Sequence, residues 1–151
     1  MTRGAGGRGY SVIGRISIVG GVLLAMAVVA IVLVALLIAD PSAEEVVEAF
    51  RDEGLEAGET SRVDRDSDRS FVPKTYEEQV SFPIPSVGER AVGRVFTFET
   101  QEDLEQVREH FEDFADFFPS YVYVDGNVLV QIPDSVPEEQ ADRYGKVLRE
   151  A

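Results

Sequence analysis

Three aspartates at alternate positions, Asp64, Asp66 and Asp68, have the spacing that comes nearest to a metal site in this chain. Alternate carboxylates can converge on one hard cation, and a calcium loop begins in this way. The sixth position of the calcium pattern is Arg69 instead of the glycine that makes its sharp turn, and the twelfth is Thr75 instead of a bidentate glutamate. The segment therefore predicts a solvated acidic loop, and we expect no metal site.

His110 is the only histidine, and cysteine is absent. A zinc site needs several nitrogen or sulfur ligands, and a nucleophile of the serine–histidine type needs a partner in a suitable setting. The sequence has no glycine-rich phosphate loop and no Gly-x-Ser-x-Gly segment. We therefore expect no catalytic residues and no cofactor, and we expect that the protein is not an enzyme.

Acidic residues also crowd the polar face of one predicted helix. Two carboxylates can hydrolyse a glycosidic bond, but the general acid needs a cleft and a raised pKa. An exposed helix face supplies neither, so an envelope hydrolase is the least favoured function. These residues are Glu102, Asp103, Glu105, Glu109, Glu112, Asp113 and Asp116.

The elements that would position these residues follow from the apolar periodicity. Residues 91–98 alternate as a strand. Thr100 caps a following helix that Pro119 would stop. Capping-box patterns begin at Ser42 and Ser135 and predict two more helix starts. The apolar stripe of the middle helix would comprise Leu104, Val107, Phe111, Phe114 and Phe118.

The remaining segments are less regular. A short strand is predicted at 55–58, whereas 60–90 should be irregular because Pro73, Pro83 and Pro85 disfavour a central strand. The order then predicts the α+β class, with three helices against a small sheet. The β-α-β-β-α part suggests a ferredoxin-like arrangement in which the middle helix makes a right-handed crossover.

The hairpin YVYVDGNVLVQ, residues 121–131, supplies the candidate contact surface. A two-residue type I′ turn at Asp125-Gly126 would pair Val124 with Asn127. That register groups Tyr121 and Tyr123 with Val128 and Val130 on one face, and Val122 and Val124 with Leu129 and Gln131 on the other.

A three-residue loop through Asn127 would instead group Val122 and Val124 with Val128 and Val130, and we favour the first register. In either register an apolar face remains for residues 71–85, a second copy or a partner to cover. The residues proposed to contact a partner are Tyr121, Val122, Tyr123, Val124, Leu129 and Gln131.

Residues 16–39 contain no charge. As a helix rising about 1.5 Å per residue, this segment spans a hydrocarbon core of about 30 Å. Leu37 stands where cleavage of a signal peptide after Ala39 would need a small residue, so a retained anchor in the lipid bilayer is expected. The small residues Ser17, Gly21 and Ala25 recur every four positions, which is compatible with homodimerisation.

Charge sets the expected orientation, because basic residues are retained in the cytoplasm. Arg3, Arg8 and Arg15 lie in the short glycine-rich leader, 1–15, which should be cytoplasmic. Residues 40–151 should form one extracytoplasmic domain. That domain holds all 28 acidic residues and 11 of the 14 basic ones, a formal charge of −17. Such a surface repels nucleic acid.

The stretches FPIPSVGERAVGRVFTFETQEDLEQVREHF and SYVYVDGNVLVQIPDSVPEEQADRYGKVL resemble a family of small, uncharacterised surface-anchored proteins and lipoproteins of Gram-positive bacteria. The resemblance covers most of 42–150. Its features are the strand before a glutamate-rich helix, the aromatic hairpin and the Pro-Glu-Glu helix start, none of them catalytic. The family's lipoproteins use a lipidated cysteine, whereas this chain has none and would substitute a helix. The resemblance implies location and fold, and no activity.

The expected function is therefore a non-enzymatic, membrane-tethered extracytoplasmic domain that binds a protein, its own copy or an envelope component. The alternative is a cation-responsive or envelope-stress module whose acidic surface, including residues 64–68, is the working part.

Overall fold

The computed structural model describes residues 26–29 and 40–151. Residues 26–29 are helical, and the remainder of the predicted leader (1–15) and span (16–39) lies outside the described residues. In the part that the structure describes, no helix has the length and apolar character needed to cross a bilayer. Residues Asp40–Ala151 form a compact unit of their own.

This unit contains three helices and five strands. The strands form one antiparallel sheet in the order β1-β2-β3-β5-β4, which confirms the α+β class. The elements in chain order are α1 (Ala43–Asp52), β1 (Ser61–Arg62), β2 (Glu78–Pro83), β3 (Val92–Thr97), α2 (Gln101–Asp113), β4 (Ser120–Asp125), β5 (Val128–Pro133) and α3 (Glu138–Leu148).

The sheet is covered by helices on both faces. On one face, Val95 and Val130 belong to a core that includes buried residues of α1 and α3. On the other face, Phe96 and Leu129 belong to a second core with buried residues of α2. Since successive side chains of a strand point to opposite faces, β3 and β5 are apolar on both sides, as buried strands usually are.

The ferredoxin-like expectation holds only for part of the topology. Strand β5 pairs with both β3 and β4 and therefore lies between them. The connection from β3 through α2 to β4 crosses β5, as in the ferredoxin-like arrangement. However, α2 and α3 pack on opposite faces of the sheet. The reason is the apolar stripe of α2, which meets the phenylalanine face of β3 and leaves the valine face to α1 and α3.

The prediction that residues 60–90 are irregular is wrong at β2, which is a regular strand. The short strand predicted at 55–58 is also wrong, because these described residues have no regular secondary structure. Pro83 is tolerated because of its register. Ile84 donates its N–H to the carbonyl of Ala91 at 2.8 Å, whereas the carbonyl of Pro83 accepts from Gly58 at 2.9 Å. The N–H that Pro83 lacks would therefore point away from β3, and no hydrogen bond of the ladder is lost.

The two predicted capping boxes have different outcomes. At α1 the Ser42 hydroxyl accepts from the Glu45 N–H, and the Glu45 carboxylate accepts from the Ser42 N–H at 2.8 Å, which confirms the prediction. At α3 the N-cap is Pro137 and no side chain caps the helix, so the box predicted from Ser135 is wrong. The chain turns before it, where Val136 donates to the Pro133 carbonyl.

The hairpin has the predicted grouping of faces but a different turn. Val124 pairs with Leu129 and Asp125 with Val128, so the loop is Gly126-Asn127. Of these residues only Gly126 has a positive φ, 53°, which excludes the type I′ turn. The register is displaced by two residues from the predicted one, and a shift by two keeps each side chain on its face. The alternative grouping from a three-residue loop is wrong.

Phe50 tests whether the core of α1 and α3 stabilises the unit. Its ring lies 5.1 Å from the ring of Tyr144 and 5.7 Å from that of Phe82. Phe50→Ala should lower the free energy of unfolding by about 3–5 kcal/mol in urea titrations, because it leaves a cavity. The matched control Phe71→Ala removes a ring that is 85% exposed and should change stability by less than about 0.5 kcal/mol. Equal losses from both substitutions would contradict this packing.

Candidate functional site: an aromatic groove beside Arg94

The candidate site begins where α2 ends. The prediction that this helix continues to Pro119 is wrong, because α2 stops at Asp113 and is followed by turns in which Phe118 donates to the Phe114 carbonyl at 2.9 Å. Phe111 is the last buried residue of the stripe, so the following turns gain no packing energy that would hold them helical. Phe114, Phe117 and Phe118 are 43%, 75% and 60% exposed, respectively.

These exposed rings line a groove with a volume of about 780 Å³. Phe71, which precedes the buried Val72, lines the same groove. The sequence leaves residues 71–85, a second copy or a partner as possible covers of the second apolar face. Helix α2 covers that face together with Val72 and Tyr76, whereas Phe71 is exposed. The groove is lined by Ser70, Phe71, Val72, Arg94, His110, Phe111, Phe114, Phe117, Phe118 and Gln131.

Four polar residues, Ser70, Arg94, His110 and Gln131, lie among the phenylalanines and Val72 of this lining. Arg94 of β3 and Gln131 of β5 are paired across the sheet, and the Arg94 Nη1 donates to the Gln131 Oε1 at 3.1 Å. Gln131 is buried and Arg94 is half-buried. Burial lowers the pKa of Arg94, and the negative charge of Asp68 opposes that shift. A guanidinium remains protonated in proteins, so the groove contains one positive charge.

Arg94 differs from the arginines that form ion pairs with carboxylates. Arg62 lies 2.6 Å from the Glu78 carboxylate, Arg108 lies 2.5 Å from that of Glu105, and Arg51 pairs with Glu48. Among the described residues, Arg94 makes no ion pair. Asp68 acts on Arg94 only from beyond ion-pair distance, so this half-buried cation keeps hydrogen-bond donors that could bind an anion.

The acidic loop supports the wall that carries Phe71. The Asp68 carboxylate accepts hydrogen bonds from the Ser70 N–H at 2.8 Å and from the Tyr76 hydroxyl at 2.9 Å. Asp64 accepts from the backbone N–H of Asp66 at 3.1 Å. Within the described ranges, no three acidic or histidine side chains are arranged to hold a metal ion. Asp64 and Asp68 thus order the loop by hydrogen bonds to the protein itself.

The residues predicted to contact a partner are divided between the two faces. Tyr121 and Tyr123 are half-buried against the core of α1 and α3, and the Tyr123 hydroxyl donates to Asp142 at 2.9 Å. Burial and this hydrogen bond raise the pKa of Tyr123. On the other face Leu129 is fully buried and Val122 packs against the α2 core.

Val124 is 37% exposed, and Gln131 is the one predicted residue that lines the groove. Sequence reasoning missed Phe71, Arg94 and the exposed phenylalanines as site residues. The available signal was the run DFADFF, 113–118, whose apolar residues are too dense for one helix stripe.

The polar groups of the groove are placed for binding, and Ser70 and His110 are not paired as a nucleophile and its base. Ser70 and His110 both line the groove, but the Ser70 hydroxyl donates to the Asp68 carboxylate at 2.6 Å. In the described structure no hydrogen bond joins Ser70 to His110, whose ring instead lies 4.7 Å from that of Phe114. A nucleophile needs an adjacent base, so this pair lacks the geometry of one.

The loop at Asp68 generates a prediction about pH. Burial raises the pKa of Asp68, whereas the hydrogen bonds from Ser70 and Tyr76 lower it. Together the hydrogen bonds outweigh burial, so the pKa of Asp68 lies below the ordinary value. Asp68 should therefore stabilise the fold above the ordinary aspartate pKa of about 3.9, and this stability should be lost as the pH falls through the lowered value.

Urea unfolding of the wild type and Asp68→Asn from about pH 7 to about pH 2.5 checks this, and the stability advantage of the wild type should shrink toward the acid end. The control is Asp66→Asn, since that carboxylate accepts no hydrogen bond from the described residues. A constant advantage of the wild type over Asp68→Asn at every pH would contradict the assignment.

The groove and its polar pair lie on one face of the sheet, and their walls come from α2, the turns after it and the acidic loop. In comparisons with protein-family models, with curated proteins and with solved structures, no match to this chain was found.

Proposed function

We propose that this protein is a non-enzymatic, membrane-tethered extracytoplasmic domain that binds a protein or envelope partner through the aromatic groove. The observation that carries the proposal is the cluster of four exposed phenylalanines around the half-buried Arg94. Single exposed apolar residues are normal on a protein surface, whereas several exposed rings around one groove are typical of a binding site. We therefore propose the groove as the contact surface in place of the hairpin, with Gln131 of β5 common to both.

The tether is supported by sequence and by the few described residues near it. Residues 16–39 contain no charge, and 26–29 are helical with exposed Met26, Val28 and Val29, as a lipid-facing helix requires. The basic residues before the span favour an extracytoplasmic position for 40–151. The resemblance to surface-anchored proteins of Gram-positive bacteria supports the same location.

The alternative, a cation-responsive acidic module, has less support. Asp68 would be its central ligand, but its carboxylate already accepts hydrogen bonds from Ser70 and Tyr76. These three hydrogen bonds use most of the acceptor sites of the carboxylate and leave little capacity for a cation.

The absence of cysteine makes the proposed orientation testable. Ser135→Cys, at an exposed position before α3, should react in intact cells with a maleimide that cannot cross membranes. Ser11→Cys, in the leader, should react only after lysis. Labelling of Ser11→Cys but not Ser135→Cys in intact cells would show the opposite orientation.

Partner binding predicts site-specific crosslinking. With a photoreactive benzophenone amino acid in place of Phe117, the full chain in its native envelope should form a discrete adduct. The same replacement at Glu139, exposed in the first turn of α3, should not. Arg94→Gln in the Phe117-labelled protein should weaken the adduct if the partner reaches the groove. Equal adducts at both positions, or none at Phe117, would refute binding through this surface.

A further inference from the structure

The proposed function leaves the chemical class of the ligand open, and the groove restricts it. Resting on that function, we propose that the groove binds one alkyl chain that ends in a carboxylate, with the carboxylate on Arg94 and the chain against the phenylalanines. The charge, the lining and the size of the groove each restrict the ligand.

The charge calls for a small anion. One Nη1 donor of Arg94 is used by Gln131, which leaves the other donors of the guanidinium for a ligand. A guanidinium fork matches the two oxygens of a carboxylate. The formal charge of −17 on 40–151 opposes any ligand of high negative charge, such as a nucleic acid or a phosphate dianion. A monoanion satisfies both conditions.

The lining calls for an apolar body. Apart from Ser70, Arg94, His110 and Gln131, every residue that lines the groove is phenylalanine or valine. A peptide would bring backbone N–H and carbonyl groups that need partners, and Ser70 and Gln131 are already engaged with Asp68 and Arg94. An alkyl chain brings no such groups, and burying each CH₂ contributes about 0.8 kcal/mol.

The size suits a single small molecule. The volume of about 780 Å³ lies within the range of about 300–1,000 Å³ typical of ligand pockets. A second copy of the chain would bring a surface of the same strong negative charge against this one, which disfavours a close contact between copies at low ionic strength.

Residues 40–151 are titrated with dodecanoate below its critical micelle concentration, and binding is measured by isothermal titration calorimetry. This unit is suitable because both cores lie entirely within it. The comparison ligands are dodecan-1-ol and dodecyltrimethylammonium, which have the same chain without a charge and with the opposite charge. Dodecanoate should bind at least about tenfold more tightly than the alcohol, the effect of one charge-assisted hydrogen-bonded pair.

The variants separate the headgroup from the chain. Arg94→Gln should abolish the preference for dodecanoate over the alcohol, and Arg94→Lys, which keeps the charge without the fork, should restore part of it. Phe117→Ser should weaken both ligands equally. The matched control Arg69→Gln alters an exposed arginine outside the groove lining and should change nothing.

The outcomes distinguish this inference from the function on which it rests. Equal binding of dodecanoate and the alcohol, weakened by Phe117→Ser, would overturn the anion assignment and keep the groove as a binding site. Binding to phosphatidylglycerol vesicles without binding of free dodecanoate would assign the groove to a bilayer lipid and overturn the inference. No binding of any probe would also overturn it, whereas the crosslink at Phe117 tests the function independently.

Discussion

The pairing of β3 with β5 is the constraint on which the rest of the structure depends. Val95 pairs with Val130, and Phe96 pairs with Leu129, so consecutive rows of apolar side chains point to opposite faces. Neither face can remain in water without a large loss of hydrophobic free energy. Helices must therefore cover both faces, and α1 and α3 bury the valine row while α2 buries the phenylalanine row.

The same pairing creates the groove. Arg94 and Gln131 form the next row on the phenylalanine face, two residues along each strand from Phe96 and Leu129. The buried stripe of α2 ends with Phe111, so the helix covers the apolar row and stops near the polar one. The polar row is then left to the side chains of the turns after α2 and of the acidic loop. A binding surface thus results from the point at which the apolar pattern of two strands changes to a polar one.

Period-two alternation made the strand at 91–98 and the face grouping of the hairpin predictable, and local hydrogen bonding made the cap at Ser42 predictable. The errors have physical causes. Strand β2 was missed because Pro83 is harmless only in a register that depends on its neighbours. The end of α2 was missed because Phe114 and Phe118 continue the helical spacing, whereas burial depends on the extent of the sheet beneath. The role of Arg94 could not be predicted from the sequence, because it depends on tertiary contacts. These are its pairing with Gln131 on the neighbouring strand and the absence of an ion pair among the described residues.

The central claim is that part of the aromatic surface of this domain is open to solvent. The most direct measurement is ¹⁹F NMR of residues 40–151 with fluorophenylalanine at all nine phenylalanines, assigned by substitution and exposed to a water-soluble paramagnetic agent. Four signals, from Phe71, Phe114, Phe117 and Phe118, should be strongly broadened. The signals of Phe50, Phe82, Phe96, Phe98 and Phe111 should be protected. Protection of Phe114, Phe117 and Phe118 would show that the turns after α2 close over the groove, and would contradict the account.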